Sequence, residues 1–153
     1  MKLTGEIIVE APREAVFERL RDARFFASCI EGVQNLSEID ATHYKAVFET
    51  KIAYMKFRFD VTVELVRAEA PAEIEAKVEG VPFGIVGRLT ARALTRLSQD
   101  GEATRVAYET ESTLAGKLGS IGQPVLRAKA KEMEREFAKR LQAAFAPGAT
   151  EGA

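Results

Sequence analysis

Short alternating β-like segments run through this chain to about Leu114, and one long amphipathic segment, Leu118 to Phe145, follows them. That order constrains the fold more than any other feature. An antiparallel sheet with one apolar face must cover that face, and the element long enough to do so comes last. A helix laid across a curved sheet encloses a space, so the expected class is α+β, with function decided by what lines that space. At 153 residues and 46% hydrophobic, the chain suits one domain with a substantial core, expected over 1–146. The small polar run 147–153 reads as a disordered tail.

The alternation can be followed strand by strand. Leu3 to Glu10 opens as a strand and stops at Pro12, which fits the first turn of a helix carrying Val16, Phe17 and Leu20 through Arg21. A second short helix spans Ala23 to Cys29 and is broken by Gly32. Strands Val33–Ile39 and Tyr44–Lys51 flank the turn Asp40-Ala41-Thr42. Met55 to Val66 alternates most cleanly, with Met55, Phe57, Phe59, Val61, Val63 and Leu65 on one face and Lys56, Arg58, Asp60, Thr62 and Glu64 on the other. After Ala70-Pro71, Glu73–Glu79 turns Ile74, Ala76 and Val78 inward. Ile85–Leu97 sets Gly87, Leu89, Ala91 and Ala93 against Arg88, Thr90, Arg92 and Arg96. Asp100-Gly101 leads into Thr104–Leu114, with Val106, Tyr108, Thr110 and Ser112 on one side. In the closing helix, Leu118, Ile121, Val125, Leu126, Met133, Phe137 and Leu141 form the apolar stripe, while Arg127, Lys131, Glu134 and Arg135 are expected to point away.

Composition excludes several kinds of function. With 22 basic against 23 acidic residues the net charge is −1, so no global field draws the chain to nucleic acid. One Cys and one His leave no spare ligands for a zinc site and no candidates for a nucleophilic dyad, and no metal or other cofactor is expected. His43 reads as a solvated turn residue and Cys29, after Phe25 and Phe26, as a small buried hydrophobe. Gly116, Gly119 and Gly122 lack phosphate-loop spacing, and either a tight turn or a mobile portal suits them. Arg88, Arg92 and Arg96 form a basic stripe, and helix positions 127–140 carry six basic against three acidic residues. Both surfaces suit either ion-paired solvated faces or docking of acidic groups such as anionic lipid heads. The opening MKLTGEIIVE has no basic or apolar leader pattern, and no apolar run approaches the roughly 20 residues that cross a bilayer, so a cytoplasmic location is expected.

Bulky aromatics beside a strand of small residues leave volume that a core packed to crystal-like density would fill. Phe57 and Phe59, with Tyr108 opposite and Gly87, Ala91 and Ala93 alongside, therefore mark an expected apolar ligand site. Its lining would be Phe57, Phe59, Val61, Ile74, Ala76, Val78, Leu89, Ala91, Ala93, Tyr108, Thr110, Leu118, Ile121 and Val125, with hydroxyls to orient a hydrophobic small molecule, lipid- or quinone-like.

The order strand, two short helices, six strands, long helix resembles the START-like (SRPBCC, helix-grip) superfamily. That implies a curved seven-stranded antiparallel sheet wrapped around the last helix. The opening MKLTGEIIVEAPREAVFERLRDARFFASCIEGV and the run Ala115-Gly116-Lys117-Leu118-Gly119-Ser120-Ile121-Gly122 are similar to the carbon monoxide dehydrogenase CoxG family. Here Cys29-Ile30-Glu31-Gly32 stands where that family carries Cys-Ile-Pro-Gly, so Glu31 replaces a proline. The resemblance implies a non-enzymatic accessory protein accompanying a molybdenum hydroxylase, in maturation or in association with the membrane and its quinone pool. Peripheral contact at the inner membrane face is the most it implies. The alternatives are a cyclase or hydrolase of the same fold using Tyr108 and a nearby carboxylate, and an interaction module with a filled core.

Overall fold

The computed structural model describes residues 1–146, so the tail expected over 147–153 lies outside the described residues. In chain order the elements are β1 (Lys2–Val9), α1 (Arg13–Arg21), α2 (Ala23–Ser28), β2 (Val33–Asp40), β3 (His43–Ile52), β4 (Met55–Glu69), β5 (Glu73–Pro82), β6 (Gly87–Asp100) and β7 (Ala103–Gly116). A 3-10 turn (Lys117–Ser120) and α3 (Gln123–Ala144) close the chain. The seven strands form one antiparallel sheet in the order β1-β7-β6-β5-β4-β3-β2. From β2 onward each strand pairs with the next, and β1 pairs with the last. This is the α+β helix-grip arrangement that the strand and helix order predicts.

Two apolar clusters hold the helices against the concave face. In the first, Ile7, Val9, Ile74, Leu97 and Val106 of the sheet pack with Val16, Phe17 and Leu20 of α1 and Leu141 of α3. In the second, Phe57 and Phe59 pack under Leu118, with Phe48, Ile52, Val61, Leu114 and Ile121 around them. Phe59 stacks on both Phe48 and Phe57 at 6.2 Å between ring centroids. Polar groups fix the entrance to α1, whose first turn has no side-chain cap of its own. The Gln99 side-chain carbonyl accepts from Arg13 N–H at 2.9 Å, and the buried Thr104 hydroxyl donates to the Ala11 carbonyl at 2.7 Å. Asp22 caps α2 by accepting from the N–H groups of Arg24 and Phe25.

The final helix begins later than its apolar stripe predicts. Leu118 belongs to the 3-10 turn, and α3 starts at Gln123, with Gly122 extended before it and Pro124 in its first turn. Proline suits that position because its missing N–H would have no partner there. Gly116, at φ +69, turns the chain under β6, where a Cβ would meet the Val86 carbonyl oxygen at 2.7 Å. That tight passage drives Leu118 beneath the Phe57–Phe59 stack. Met55, expected on the dry face, is 62% exposed because it sits at the sheet's end, past the cover. The β3–β4 turn has both central residues, Ala53 and Tyr54, at positive φ (49° and 72°). Such a turn matches strand twist but costs L-residues about 1–2 kcal/mol each.

Both ends of β2 can be tested. Gly32 sits at φ +97 with its carbonyl accepting from Glu49 N–H at 3.0 Å, and a Cβ there would strike the Glu49 carbonyl oxygen. Gly32→Ala is expected to destabilise by more than about 1 kcal/mol in thermal melting, exceeding Gly101→Ala, which has a similar φ in open space. In the β2–β3 turn, His43 Nδ1 lies 2.8 Å from Asp40. The Thr42 N–H, then His43, hold the Asp40 carboxyl down at about 2, and Asp40 raises His43. His43 is therefore expected to titrate above about 6.5 by NMR, and Asp40→Asn to bring it back down. Because the folded value is raised, its stabilising contribution is present below the unfolded value and is lost as pH rises through the folded one.

Candidate functional site

The expected lining residues divide into three groups. Phe57, Phe59, Val61, Leu118 and Ile121 gather in one cluster, while Ile74 and Tyr108 join the other. Between them, the cross-strand rows Ala76–Ala93–Thr110 and Val78–Ala91–Ser112, with Leu89 beside them, form a strip of small and medium side chains on β5, β6 and β7. All of these are half-buried. β5, β6 and β7 are paired on both sides, so the strip is open from above, on the concave face, where α3 does not press down on it.

Val125 does not join the group. It is 39% exposed, because the late start of α3 gives the helix an inward side of Leu126, Ala130, Met133, Phe137 and Leu141, from which Val125 is rotated away. Tyr108 is not opposite Phe57 and Phe59 either. It pairs across to Gly5, and its ring lies over that glycine so closely that a Cβ there would collide with the phenol oxygen. The Tyr108 hydroxyl is shut off from solvent and has no hydrogen-bond partner among the described residues. Burial pushes its pKa well up, and Glu134 raises it further without closing a hydrogen bond. Glu134 therefore faces the sheet, contrary to its expected outward direction. It is half-buried one residue after Met133 and three before Phe137, on the flank of the inward stripe. A carboxylate on that flank is hard to foresee from charge pattern, which assigns charged side chains to water.

Beside the strip, a cleft of about 460 Å³ opens between the α2–β2 connection, the β3–β4 hairpin and α3. Cys29, Gly32, Thr50, Lys51, Lys56, Lys129, Glu132 and Met133 are among its walls. Lys129, which charge pattern also places outside, has a side chain only 18% exposed and pairs with Glu132 at 3.2 Å. Cys29 is buried, as expected; burial pushes its thiol pKa up, opposed by Ser28 and Arg140, so it stays protonated and unreactive. Glu31 reaches Arg140 at 3.9 Å, tying the Cys29–Gly32 segment to α3.

The sheet's convex face is neutralised. Arg88, Arg92 and Arg96 pair with Glu79, Glu75 and Glu73 at 2.9, 3.6 and 3.3 Å, so the basic stripe meets an acidic one on the neighbouring strand. Such exposed pairs contribute little stability each. Among the described residues no cluster of three His, Cys, Asp or Glu side chains could hold a metal ion, and no helix is long and apolar enough to cross a membrane.

Solved structures with the same fold include a conserved protein from Geobacillus kaustophilus, 27% identical, with a TM-score of 0.86 and 95% of each chain covered. A Chromobacterium violaceum protein is 17% identical with a TM-score of 0.69, over 95% of this chain and 97% of that one. The di-domain ARO/CYC BexL of the BE-7585A biosynthetic pathway is 12% identical with a TM-score of 0.64, over 96% of this chain and 50% of that one. The last two likenesses show the fold alone. No curated protein matches the sequence. Residues 5–146 match the carbon monoxide dehydrogenase CoxG family, in keeping with the Cys29–Gly32 and Ala115–Gly122 segments, and the chain belongs to that family.

Proposed function

We propose that this protein is a non-catalytic carrier that holds an apolar small molecule, lipid- or quinone-like, between α3 and the concave face of the sheet. It serves a carbon monoxide dehydrogenase-type molybdenum hydroxylase, in maturation or in coupling to the membrane quinone pool. The observation that carries this reading is the half-buried strip of Ala76, Val78, Leu89, Ala91, Ala93 and Thr110 between two well-packed clusters. A guest covering about 300 Å² of apolar surface there would gain roughly 7 kcal/mol before the cost of immobilising it. The unpartnered Tyr108 hydroxyl adds a donor for a carbonyl oxygen on an otherwise greasy molecule. Family membership supports the link to the oxidoreductase.

A cyclase or hydrolase would use Tyr108 and Glu134 as acid and base. The phenol holds its proton more tightly than free tyrosine does, which makes it a poor acid and favours the carrier.

Native mass spectrometry of the purified protein is expected to show a retained apolar guest. Ala91→Phe fills the strip and should reduce retention at least about tenfold with the melting temperature little changed. Tyr108→Phe should weaken carbonyl-bearing guests about three- to tenfold, the worth of one buried hydrogen bond, and spare hydrocarbon ones. Protein that stays guest-free after exposure to quinones and lipids would overturn the carrier reading. Co-purification with molybdopterin-containing proteins encoded beside this chain tests the accessory role.

A further inference from the structure

We propose that the end of the sheet bearing the β3–β4 hairpin, the β5–β6 connection and the β7–α3 passage is a docking surface for an anionic lipid bilayer. These three segments lie side by side. Phe83 N–H donates to the Arg58 carbonyl at 2.8 Å, Lys117 N–H donates to the Val86 carbonyl at 2.8 Å, and Gly87 pairs with Gly116. Together they expose Tyr54, Met55, Phe83, Ile85, Val86 and Val125, with Tyr54 fully exposed and Val86 77% exposed. Other large apolar residues at the surface, Ile8, Phe26, Ile39 and Val66, lie singly elsewhere.

Charge selects the partner. Segments 51–58, 80–88 and 115–125 contain Lys51, Lys56, Arg58, Arg88 and Lys117 and no acidic residue. The nearest carboxylates, Glu49 and Glu79, are held by Arg58 and Arg88 at 3.4 and 2.9 Å. Lys51, Lys56 and Lys117 make no ion pair among the described residues and stand behind the apolar tips. The opposite end of the sheet carries Asp40, Glu69, Glu73, Asp100 and Glu102 in or beside its turns. Apolar and aromatic points backed by lysines, with acids kept at the far end, fit the boundary between acyl chains and anionic headgroups. Three separate projecting turns suit a fluid surface better than a flat protein face. The hairpin tip is held at some cost, since Ala53 and Tyr54 both sit at positive φ to present the tyrosine.

The surface goes beyond the carrier reading and needs no guest, yet it gives that reading a direction. Lys51 and Lys56 also line the cleft of about 460 Å³, so a docked molecule would open its cleft toward the lipid.

Co-sedimentation tests it, using phosphatidylcholine vesicles with and without about 30% phosphatidylglycerol. Binding is expected to the anionic vesicles, to weaken from about 0.1 M to about 0.5 M salt, and to be slight on phosphatidylcholine alone. Tyr54→Asp with Val86→Asp, and separately Lys51→Glu with Lys56→Glu, should each reduce binding at least about 25-fold, on the scale of about fivefold for each cation lost. Thermal melting confirms that these exposed variants fold. Lys131→Glu with Arg135→Glu, on the exposed face of α3, should change binding less than about fivefold, and Ala91→Phe should not change it, which separates this surface from the guest site. No binding to anionic vesicles would overturn the proposal and assign the tips to a protein partner. Binding lost in the α3 variant but kept in the tip variants would overturn it in favour of the helix.

Discussion

A single helix is too narrow to cover the concave face of seven strands. Six inter-strand spacings span about 29 Å, while a helix with its side chains is about 10–12 Å across. The chain meets this shortfall by covering the face from two ends. α1 and the C-terminal half of α3 close one end, and Leu118 in the 3-10 turn plugs the other. What lies between is left to small side chains and a partly open surface. The rest of the architecture follows from that division, including the break that frees Leu118 from α3 and the exposure of the strip on β5, β6 and β7.

Strands were legible in the sequence because their signal has a period of two and repeats over many residues. Met55 to Leu65 shows its faces directly, and Asp40–Thr42 and Asp100-Gly101 mark turns by side chains that favour them. The start of the final helix was not legible from periodicity, since Leu118 and Ile121 fit its apolar stripe although they precede it. Pro124 was the local sign, because proline belongs in a first turn. The site was read by face but not by position along the face. Alternation placed Tyr108 inward correctly, yet its separation from Phe57 and Phe59 depends on which residues stand opposite in four successive strand pairs. Glu134 and Lys129 escaped notice because charge suggests solvent, whereas a helix lifted from its sheet leaves room beneath its flanks for long polar side chains.

Polarity is distributed unevenly about the helix-covered face. Carboxylates and guanidinium groups pair on the convex side, where water screens them and each pair adds little. On the concave side the polar groups are few, and one of them, the Tyr108 hydroxyl, is without a partner among the described residues. A buried hydroxyl in that condition carries a free-energy penalty that a suitable oxygen on a bound molecule would relieve. Discrimination between greasy molecules would then rest on one oriented O–H in an otherwise indifferent cavity.

That orientation is set by an absence. Gly5 contributes no side chain, and the aromatic ring occupies the vacancy it leaves on β1. The direction of the phenolic O–H is thus governed from the neighbouring strand, by a residue with no chemistry of its own. Selectivity in such a fold could drift through changes at that bare position alone, re-aiming the hydroxyl while every group able to touch a guest stays the same.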